Sequence, residues 1–194
     1  MSRERAVFLD RDGVIVEDSG LLICSEGIRI LPGVPQALSR LKDHGFALVI
    51  ITNQAVIARG LLTESQVVGL EREIEARLMA RGAPALDGFY VCPHHPKATL
   101  PEYRLVCSCR KPNPGLLLQA ARELGLDLAG SFMVGDRPTD LLAGARAGCR
   151  TIWAQTGQHK AEPIETGPDT SPAPLPDLIC DGLPEATNWI LEHS

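Results

Sequence analysis

Apolar runs with the character of β-strands alternate along this chain with segments that have helical spacing. Phe46–Thr52 (FALVIIT) is continuously apolar and rich in β-branched residues, as expected for a strand that is covered on both faces. Gly33–His44 has apolar residues at helical spacing and is followed by Gly45, which favours a helix end. Thr63 is a candidate N-cap for another helix, over 63–81. Strands that alternate with helices predict an α/β fold, in which helices cover both faces of a parallel sheet.

The same alternation continues through the rest of the chain. Further strands are predicted at Arg5–Asp10, Gly88–Cys92, Phe132–Gly135, Thr151–Ala154 and Leu178–Cys180, and further helices at Pro114–Leu124, Thr139–Ala147 and Pro184–His193. A loop rich in Pro, His and Cys is predicted over 92–112, and an exposed connection rich in Pro, Gly, Thr and Glu over 157–176. Because no internal repeat or low-complexity tract is evident, we expect one domain, 1–194.

Charge and composition argue against several classes of function. The formal net charge of −5 disfavours a nucleic-acid surface, which needs a basic stripe, but is compatible with a small phosphorylated metabolite held by local cations. No apolar run approaches the ~20 residues that cross a bilayer, so we expect no membrane partner. The first residues lack the apolar region of a secretory signal, which predicts a cytoplasmic location. No association motif is evident, which predicts a monomer.

Six cysteines are present, and in a cytoplasmic protein disulfides are rare. Cys24, Cys149 and Cys180 stand in apolar surroundings. A free cysteine behaves as a small apolar side chain. We therefore expect these three to be buried packing residues.

The other three cysteines share one segment with two histidines. Cys92-x-His94 is followed by a 12-residue gap and then by Cys107-x-Cys109. Three thiolates and one imidazole form a complete tetrahedral ligand set for Zn²⁺, with no position left open for catalysis. The segment therefore predicts a structural zinc site that stabilises the polar loop. His95 is the alternative ligand, but the two-residue spacing favours His94.

Polar side chains follow several of the predicted strands at the point where each strand ends. Asp10 and Asp12 come at the end of the first strand and are followed by Gly13, which permits a tight turn. Thr52 ends the second strand, and Asp136 follows a later one. Ligands of parallel sheets bind at the carboxyl ends of the strands. Adjacent carboxylates repel each other, so this edge of the sheet predicts a bound Mg²⁺ and a phosphate-containing substrate.

An isolated pair of aspartates at i and i+2 would more often cap a turn. Here, however, a strand-end hydroxyl, a basic pair and a second acidic motif follow in order along the chain. The basic pair is Arg110 and Lys111, and a lysine suits a phosphoryl transition state. The acidic motif begins with Asp136 and ends with Asp140, which offers a supporting carboxylate.

These motifs resemble the signature of the haloacid dehalogenase-like phosphatase superfamily. The signature is a D-x-D-G turn, a strand-end Thr or Ser, a Lys and a G-D-x-x-x-D motif. The resemblance implies a Rossmann-like fold, with Asp10 as nucleophile and Asp12 as general acid and then base. It implies that Mg²⁺ is held by Asp10, the backbone carbonyl of Asp12 and Asp136. It also implies that Thr52 and Lys111 hold the phosphoryl group.

The zinc loop running directly into Arg-Lys-Pro resembles one branch of this superfamily, which lacks a large cap domain. That branch includes phosphatases of D-glycero-D-manno-heptose 1,7-bisphosphate and of histidinol phosphate, and the long loop favours the heptose compound. The branch implies substrate contacts from Arg11, Asp18, Ser19, Gly20, Leu21, Asn53, Gln54, Ala55, Arg110 and Arg137. For Asp18 and Arg137 the alternative interpretation is a solvated loop charge.

The chain departs from the usual heptose pattern at Val14, Val16, Leu21, Ala55 and Val56. Most of these replacements put an aliphatic group near the substrate, and each lost hydroxyl removes a contact worth about 0.5–1.5 kcal/mol. Histidinol phosphate or another phosphosugar is therefore an alternative substrate. A zinc-stabilised binding module without catalysis is the alternative from another class, and a nucleic-acid 3′-phosphatase is disfavoured by the acidic charge balance.

Overall fold

The computed structural model describes residues 4–157 and 175–194 of the 194-residue chain. Its strands are β1 (Glu4–Leu9), β2 (Phe46–Asn53), β3 (Gly88–Cys92), β4 (Leu126–Gly135), β5 (Arg150–Ala154) and β6 (Leu178–Cys180). Its α-helices are α1 (Val34–Asp43), α2 (Ala55–Ala58), α3 (Glu64–Met79), α4 (Gly115–Leu124), α5 (Pro138–Ala147) and α6 (Leu183–Glu192). The connection predicted over 157–176 lies outside the described residues except at its two ends. None of the described helices has the length and apolar character needed to cross a bilayer.

The six strands form one parallel sheet in the order β3-β2-β1-β4-β5-β6, which confirms the predicted α/β fold. From β1 the chain moves outward through β2 to β3, returns to β4 on the other side of β1, and then moves outward again to β6. The direction of winding therefore reverses between β1 and β4. In open sheets of this kind, ligands bind beyond the carboxyl ends of the strands at the reversal.

β1 lies at the centre of the core because both of its faces are covered. Its residues Ala6–Leu9 are completely buried, and their alternation directs Val7 and Leu9 to one face and Ala6 and Phe8 to the other. Helices α1, α3 and α6 cover the first face, and α4 and α5 cover the second. Burying each such Val, Leu or Phe contributes about 1.5–3 kcal/mol, so the turn that follows β1 starts from a rigid base.

The predicted N-cap of α3 is confirmed. The Thr63 hydroxyl accepts a hydrogen bond from the Gln66 backbone at 3.2 Å, and the Gln66 side chain accepts one from the Thr63 backbone at 2.8 Å. The largest difference in bounds is at β4, which begins at Leu126 rather than at Phe132. Asp127 and Gly130 interrupt the apolar pattern there. Pairing with the start of β1 nevertheless keeps this part of the chain extended.

Two further features differ from the sequence-based expectations. The short helix α2 was not predicted, because four residues are too few to show a helical period. Cys24 is exposed rather than buried, since it lies in a surface segment whose neighbours are largely exposed too. Cys149 and Cys180 are buried, as predicted.

Candidate active site

Three buried carboxyl groups meet beyond the reversal of the sheet. Asp10 directly follows β1, Asp136 directly follows β4, and Asp140 lies in the first turn of α5. Each offers an oxygen atom, and these atoms lie within 4.8 Å of one another. Asp140 is held by the start of its helix, because its Oδ2 accepts a hydrogen bond from the backbone of Arg137 at 3.0 Å. We refer to Asp10, Asp136 and Asp140 as the carboxylate cluster.

The side chain of Lys111 lies inside the carboxylate cluster. Its Nζ is 2.8 Å from Oδ1 of Asp10 and 2.7 Å from Oδ1 of Asp140, and it donates a hydrogen bond to the Ile51 carbonyl at 2.8 Å. The Lys111 backbone is fixed as well, since its N–H and C=O both bond to the side chain of Asn53, each at 3.1 Å. Burial disfavours the ammonium, but the two carboxylates outweigh it and raise the pKa of Lys111 above its ordinary value.

The carboxylate cluster brings three carboxyl groups together around one ammonium group. Burial, with the neighbouring charges of Asp10 and Asp140, raises the pKa of Asp136 to about 8. Burial also raises the pKa of Asp10, against the effect of Lys111. Neither carboxylate oxygen of Asp136 has a hydrogen-bond partner among the described residues. Buried oxygen atoms without partners beside two further carboxylates fit a hard divalent cation such as Mg²⁺.

The carboxyl group of Asp12 is not part of the carboxylate cluster. It accepts hydrogen bonds from Nε of Arg11 at 3.0 Å and NH2 of Arg11 at 2.7 Å, and from the side-chain amide of Gln54 at 3.1 Å. The same amide donates to the hydroxyl of Thr52 at 2.8 Å. The structure therefore joins Asp12, Gln54 and Thr52 into one network beside the cluster.

Arg11 was predicted to contact the substrate, but the structure encloses it in protein. Its side chain is 1% exposed, and it bonds to Glu71 on α3 at 2.8 Å through NH1 and to Gln54 at 3.0 Å through NH2. Burial works against the charge of Arg11, and Asp12 and Glu71 nevertheless raise its pKa. The side chain of Arg11 is thus less accessible than Ser19, Gly20 and Leu21, with which it was grouped.

Glu71 was not among the residues predicted for the site. This carboxylate is buried, and burial raises its pKa while Arg11 opposes the shift. A signal was present in the sequence, because Glu71 is a charged residue within an otherwise apolar face of α3. The buried residues of this helix are Val67, Leu70, Glu71, Ile74 and Leu78.

Asp18 and Arg137 pair with each other across the site. NH2 of Arg137 lies 2.8 Å from Oδ2 of Asp18, whose Oδ1 accepts a hydrogen bond from the backbone of Gly20 at 3.0 Å. Nε of Arg137 is 3.9 Å from Asp136. The ion pair therefore connects the loop after β1 with the carboxylate cluster, and neither charge is simply a solvated loop charge.

The other predicted substrate contacts differ in exposure. Leu21 is 42% exposed, and Asn53 and Ala55 are half-buried. The guanidinium of Arg110 donates a hydrogen bond to the carbonyl of His94 at 3.0 Å, so both ends of this contact lie in the loop predicted over 92–112. The exposed members of the set are Ser19, Gly20 and Leu21.

The four predicted zinc ligands lie together. The sulfur atoms of Cys92, Cys107 and Cys109 are 3.1–3.6 Å apart, and Nδ1 of His94 is 3.3 Å from Cys109 and 3.8 Å from Cys92. A tetrahedron with Zn–S bonds of about 2.3 Å has edges of about 3.8 Å, so the arrangement fits one zinc ion. His95 is not in the group, since its ring bonds to a nearby backbone N–H at 3.0 Å. We refer to these four ligands as the Cys₃His cluster.

The strand order β3-β2-β1-β4-β5-β6 places aspartates beyond β1 and β4, with a lysine between them. This fold and this site together define a hydrolase of the haloacid dehalogenase-like class. A family model described as HAD-hydrolase-like matches residues 108–186. The chain is 43% identical over 178 residues to the D-glycero-β-D-manno-heptose-1,7-bisphosphate 7-phosphatase of Yersinia pestis, covering 90% of this chain and 94% of the relative. It therefore belongs to the family of D-glycero-β-D-manno-heptose-1,7-bisphosphate 7-phosphatases.

Other relatives agree with this assignment. The phosphatase of the same name from Escherichia coli (strain K12) is 43% identical over 178 residues, covering 90% of this chain and 93% of the relative. Among solved structures, the D,D-heptose 1,7-bisphosphate phosphatase from B. bronchiseptica, complexed with magnesium and phosphate, superposes with a TM-score of 0.81. That structure is 32% identical, and the match covers 98% of this chain and 99% of the other.

Proposed function

We propose that this chain is a Mg²⁺-dependent phosphatase that removes the 7-phosphate of D-glycero-D-manno-heptose 1,7-bisphosphate through an aspartyl-phosphate intermediate. The observation that supports this chemistry most directly is the buried ammonium of Lys111, which lies within 2.8 Å of both Asp10 and Asp140 at the reversal of the sheet. A phosphoryl group bound there meets a nucleophile and a fixed cation at once. The substrate rests on the relatives, which bear its name.

The reaction proceeds in two steps. First, an Oδ atom of Asp10 forms a bond to phosphorus while the bond from phosphorus to the sugar oxygen breaks. Asp12, protonated at this stage, gives its proton to that oxygen, so the sugar leaves as an alcohol. Next, the oxygen of a water molecule forms a bond to phosphorus, the bond from phosphorus to Asp10 breaks, and a proton of the water passes to Asp12. Inorganic phosphate leaves, and Asp12 is again protonated.

Positive charge is required because the non-bridging oxygens of the phosphoryl group carry negative charge in the transition state. Lys111 supplies part of it from a fixed position, and the hydroxyl of Thr52 is proposed to donate a hydrogen bond to the phosphoryl group. Asp10, Asp136 and the backbone carbonyl of Asp12 would hold Mg²⁺. The metal ion, when bound, neutralises charge on the phosphoryl oxygens and on the carboxylates. The absence of hydrogen-bond partners for Asp136 among the described residues supports this ligand role.

The Cys₃His cluster is proposed to bind a structural Zn²⁺. The zinc would also support the active site, because Lys111 follows the ligand Cys109 by two residues. Within the loop, the backbone of Arg110 donates a hydrogen bond to the sulfur of Cys107 at 3.3 Å, and its guanidinium bonds to the carbonyl of His94. Zinc binding would therefore fix Arg110 beside the site and Lys111 within the carboxylate cluster.

Substrate recognition is proposed to involve the loop after β1, the end of β2 and the two arginines beside the site. The ion pair between Asp18 and Arg137 holds the loop after β1 near the carboxylate cluster. The proposed contacts are Asp18, Ser19, Gly20, Leu21, Asn53, Gln54, Ala55, Arg110 and Arg137.

Histidinol phosphate and other phosphosugars remain the alternative substrates, because Leu21 and Ala55 carry aliphatic groups beside the proposed pocket. The zinc-stabilised binding module without catalysis is disfavoured, because Lys111 is paired with Asp10 and Asp140 and the carboxylate cluster is intact. The monomeric state, the single domain, the cytoplasmic location and the absence of nucleic-acid partners stay predictions.

The test is phosphate release in the presence of Mg²⁺ from the heptose 1,7-bisphosphate, histidinol phosphate and a panel of hexose phosphates. The Asp10→Asn variant should lose the activity completely, because the amide is not a nucleophile. Asp43→Asn, an exposed residue at the end of α1, is the matched control and should behave like the wild type. Preference for another compound in the panel would overturn the heptose assignment, and activity that survives Asp10→Asn would overturn the mechanism.

A further inference from the structure

A buried series of hydrogen bonds links helix α3 to the carboxyl group of Asp12. Glu71 accepts a hydrogen bond from NH1 of Arg11 at 2.8 Å. On its other side, Arg11 donates to both oxygens of Asp12, from Nε at 3.0 Å and from NH2 at 2.7 Å. The side chains of Arg11 and Glu71 are 1% and 5% exposed. The guanidinium is therefore enclosed by protein, and Glu71 on α3 holds the side of it that faces away from Asp12.

Stability alone is a poor reason for this arrangement. A buried ion pair costs about as much in desolvation as it gains in attraction, and apolar residues of similar volume often serve as well. Here the cost is increased, because Oε2 of Glu71 has no hydrogen-bond partner among the described residues. Glu71 also interrupts the apolar face that α3 otherwise presents to the core. An acidic residue in such a position suggests a use at the site that it faces.

We propose that Glu71 and Arg11 are positioning residues that hold the carboxyl group of Asp12 in the orientation from which it transfers its proton. The inference rests on the proposed function, in which Asp12 is the general acid and base. The planar guanidinium fork of Arg11 engages both carboxylate oxygens and so restricts rotation of the Asp12 side chain. Glu71 restricts Arg11 in turn, and Gln54 holds Asp12 from a second direction.

Two substrates whose leaving groups differ in their need for a proton distinguish this positioning role from a merely structural one. A sugar alkoxide needs a proton as it departs, whereas p-nitrophenolate is stable enough to leave without one. Loss of a general acid therefore slows the cleavage of an alkyl phosphate much more than that of p-nitrophenyl phosphate. The constant to compare is kcat/KM, which reports the steps up to formation of the phosphoenzyme.

The experiment measures kcat and KM of three variants with the heptose 1,7-bisphosphate and with p-nitrophenyl phosphate. Glu71→Leu keeps the volume but cannot accept the hydrogen bond from Arg11, and Arg11→Lys keeps the charge but cannot engage both oxygens of Asp12. For both variants, we expect kcat/KM for the heptose compound to fall about 10- to 100-fold, mainly through kcat, with less than about a threefold fall for p-nitrophenyl phosphate. Glu71→Gln can still accept the hydrogen bond and should stay within about threefold of the wild type.

The control is Glu73→Leu on the same helix, whose side chain is 42% exposed and pairs with Arg77. It should leave both rates unchanged. If Glu71→Leu does not fold, Arg11→Lys provides the test. Equal losses of kcat/KM on the two substrates, no loss of kcat/KM on either, or an increase in KM alone would overturn the positioning role while leaving the phosphatase assignment intact. A wild-type protein that releases no phosphate, or an active Asp10→Asn variant, would instead refute the proposed function, and this inference with it.

Discussion

The ammonium of Lys111 lies 2.8 Å from Oδ1 of Asp10, although the two residues come from different sequence motifs, the third and the first of the site. Asp10 is held by the central strand, and Lys111 is delivered by the loop that carries the Cys₃His cluster. The contact therefore connects the core of the sheet with the loop that carries the Cys₃His cluster.

Replacing Lys111 by Met should abolish most of the activity and destabilise the protein. The substitution removes the cation that pairs with Asp10 and Asp140, and breaking a buried pair costs about 3–5 kcal/mol. Loss of one group that stabilises the transition state should lower kcat about 10²–10³-fold. Urea unfolding and steady-state kinetics measure the two effects. Lys42→Met, which removes a half-exposed pair with Asp87, should cost less than about 1 kcal/mol and leave kcat unchanged. Similar results for the two variants would contradict the role of Lys111.

Replacing Gly13 by Ala should disturb the proposed metal ligand Asp136. Gly13 has a φ of +82°, and a Cβ atom there would lie 2.5 Å from Oδ2 of Asp136. Gly45 has a φ of +80° but nothing within 4 Å of its Cβ position, so Gly45→Ala reports the backbone strain alone, about 1 kcal/mol. We expect Gly13→Ala to be less stable than Gly45→Ala and to lose Mg²⁺-dependent activity, measured by thermal unfolding and by Mg²⁺ titration of the rate. Equal stability and activity of the two variants would show that Asp136 adapts freely.

Replacing Cys109 by Ser should remove the zinc and, with it, the fixed position of Lys111. Structural zinc sites contribute directly to the free energy of folding, so the variant should lose several kcal/mol of stability and most of its activity. Metal analysis by mass spectrometry, together with thermal unfolding, provides the measurement. Cys24→Ser is the matched control, because Cys24 is an exposed thiol outside the cluster. Full activity of a zinc-free Cys109→Ser protein would show that the loop orders itself without metal.

The stability of the Mg²⁺-free protein should fall as the pH rises through neutrality. Burial and the neighbouring carboxylates raise the pKa of Asp136 from 3.8 to about 8 in the folded chain. Between these values the folded chain binds a proton that the unfolded chain has released. Asp136 therefore contributes a decrease in the free energy of unfolding with pH, of at most about 1.4 kcal/mol per pH unit. Urea unfolding of the zinc-loaded protein in Mg²⁺-free buffer at several pH values measures this slope.

Two comparisons isolate the contribution of Asp136 to that slope. Asp136→Asn should make it shallower, because the amide does not titrate. Saturating Mg²⁺ should flatten it in the wild type as well, because metal binding requires the ionised carboxylate. An unchanged slope in Asp136→Asn would assign the pH dependence to other groups.

The order of strands and helices and the ends of the central strands were predictable from the sequence. Apolar periodicity reports local conformation, and parallel strands end at a common edge, so Asp10 and Asp136 were expected to meet there. The Cys₃His cluster was predictable too, because its ligands lie in two short motifs with characteristic spacing. In each case the signal comes from residues close in sequence or from a general rule of sheet geometry.

Only the tertiary structure determined which side chains pair across the site. It placed the side chain of Arg11 against Glu71, 60 residues away, and it paired Asp18 with Arg137, 119 residues away. It also buried Lys111 between the carboxylates of Asp10 and Asp140. Such contacts depend on the packing of α3 and of the zinc loop against the sheet. A sequence pattern records which face of an element is apolar, but the partner of a buried charge is determined by which other element covers it.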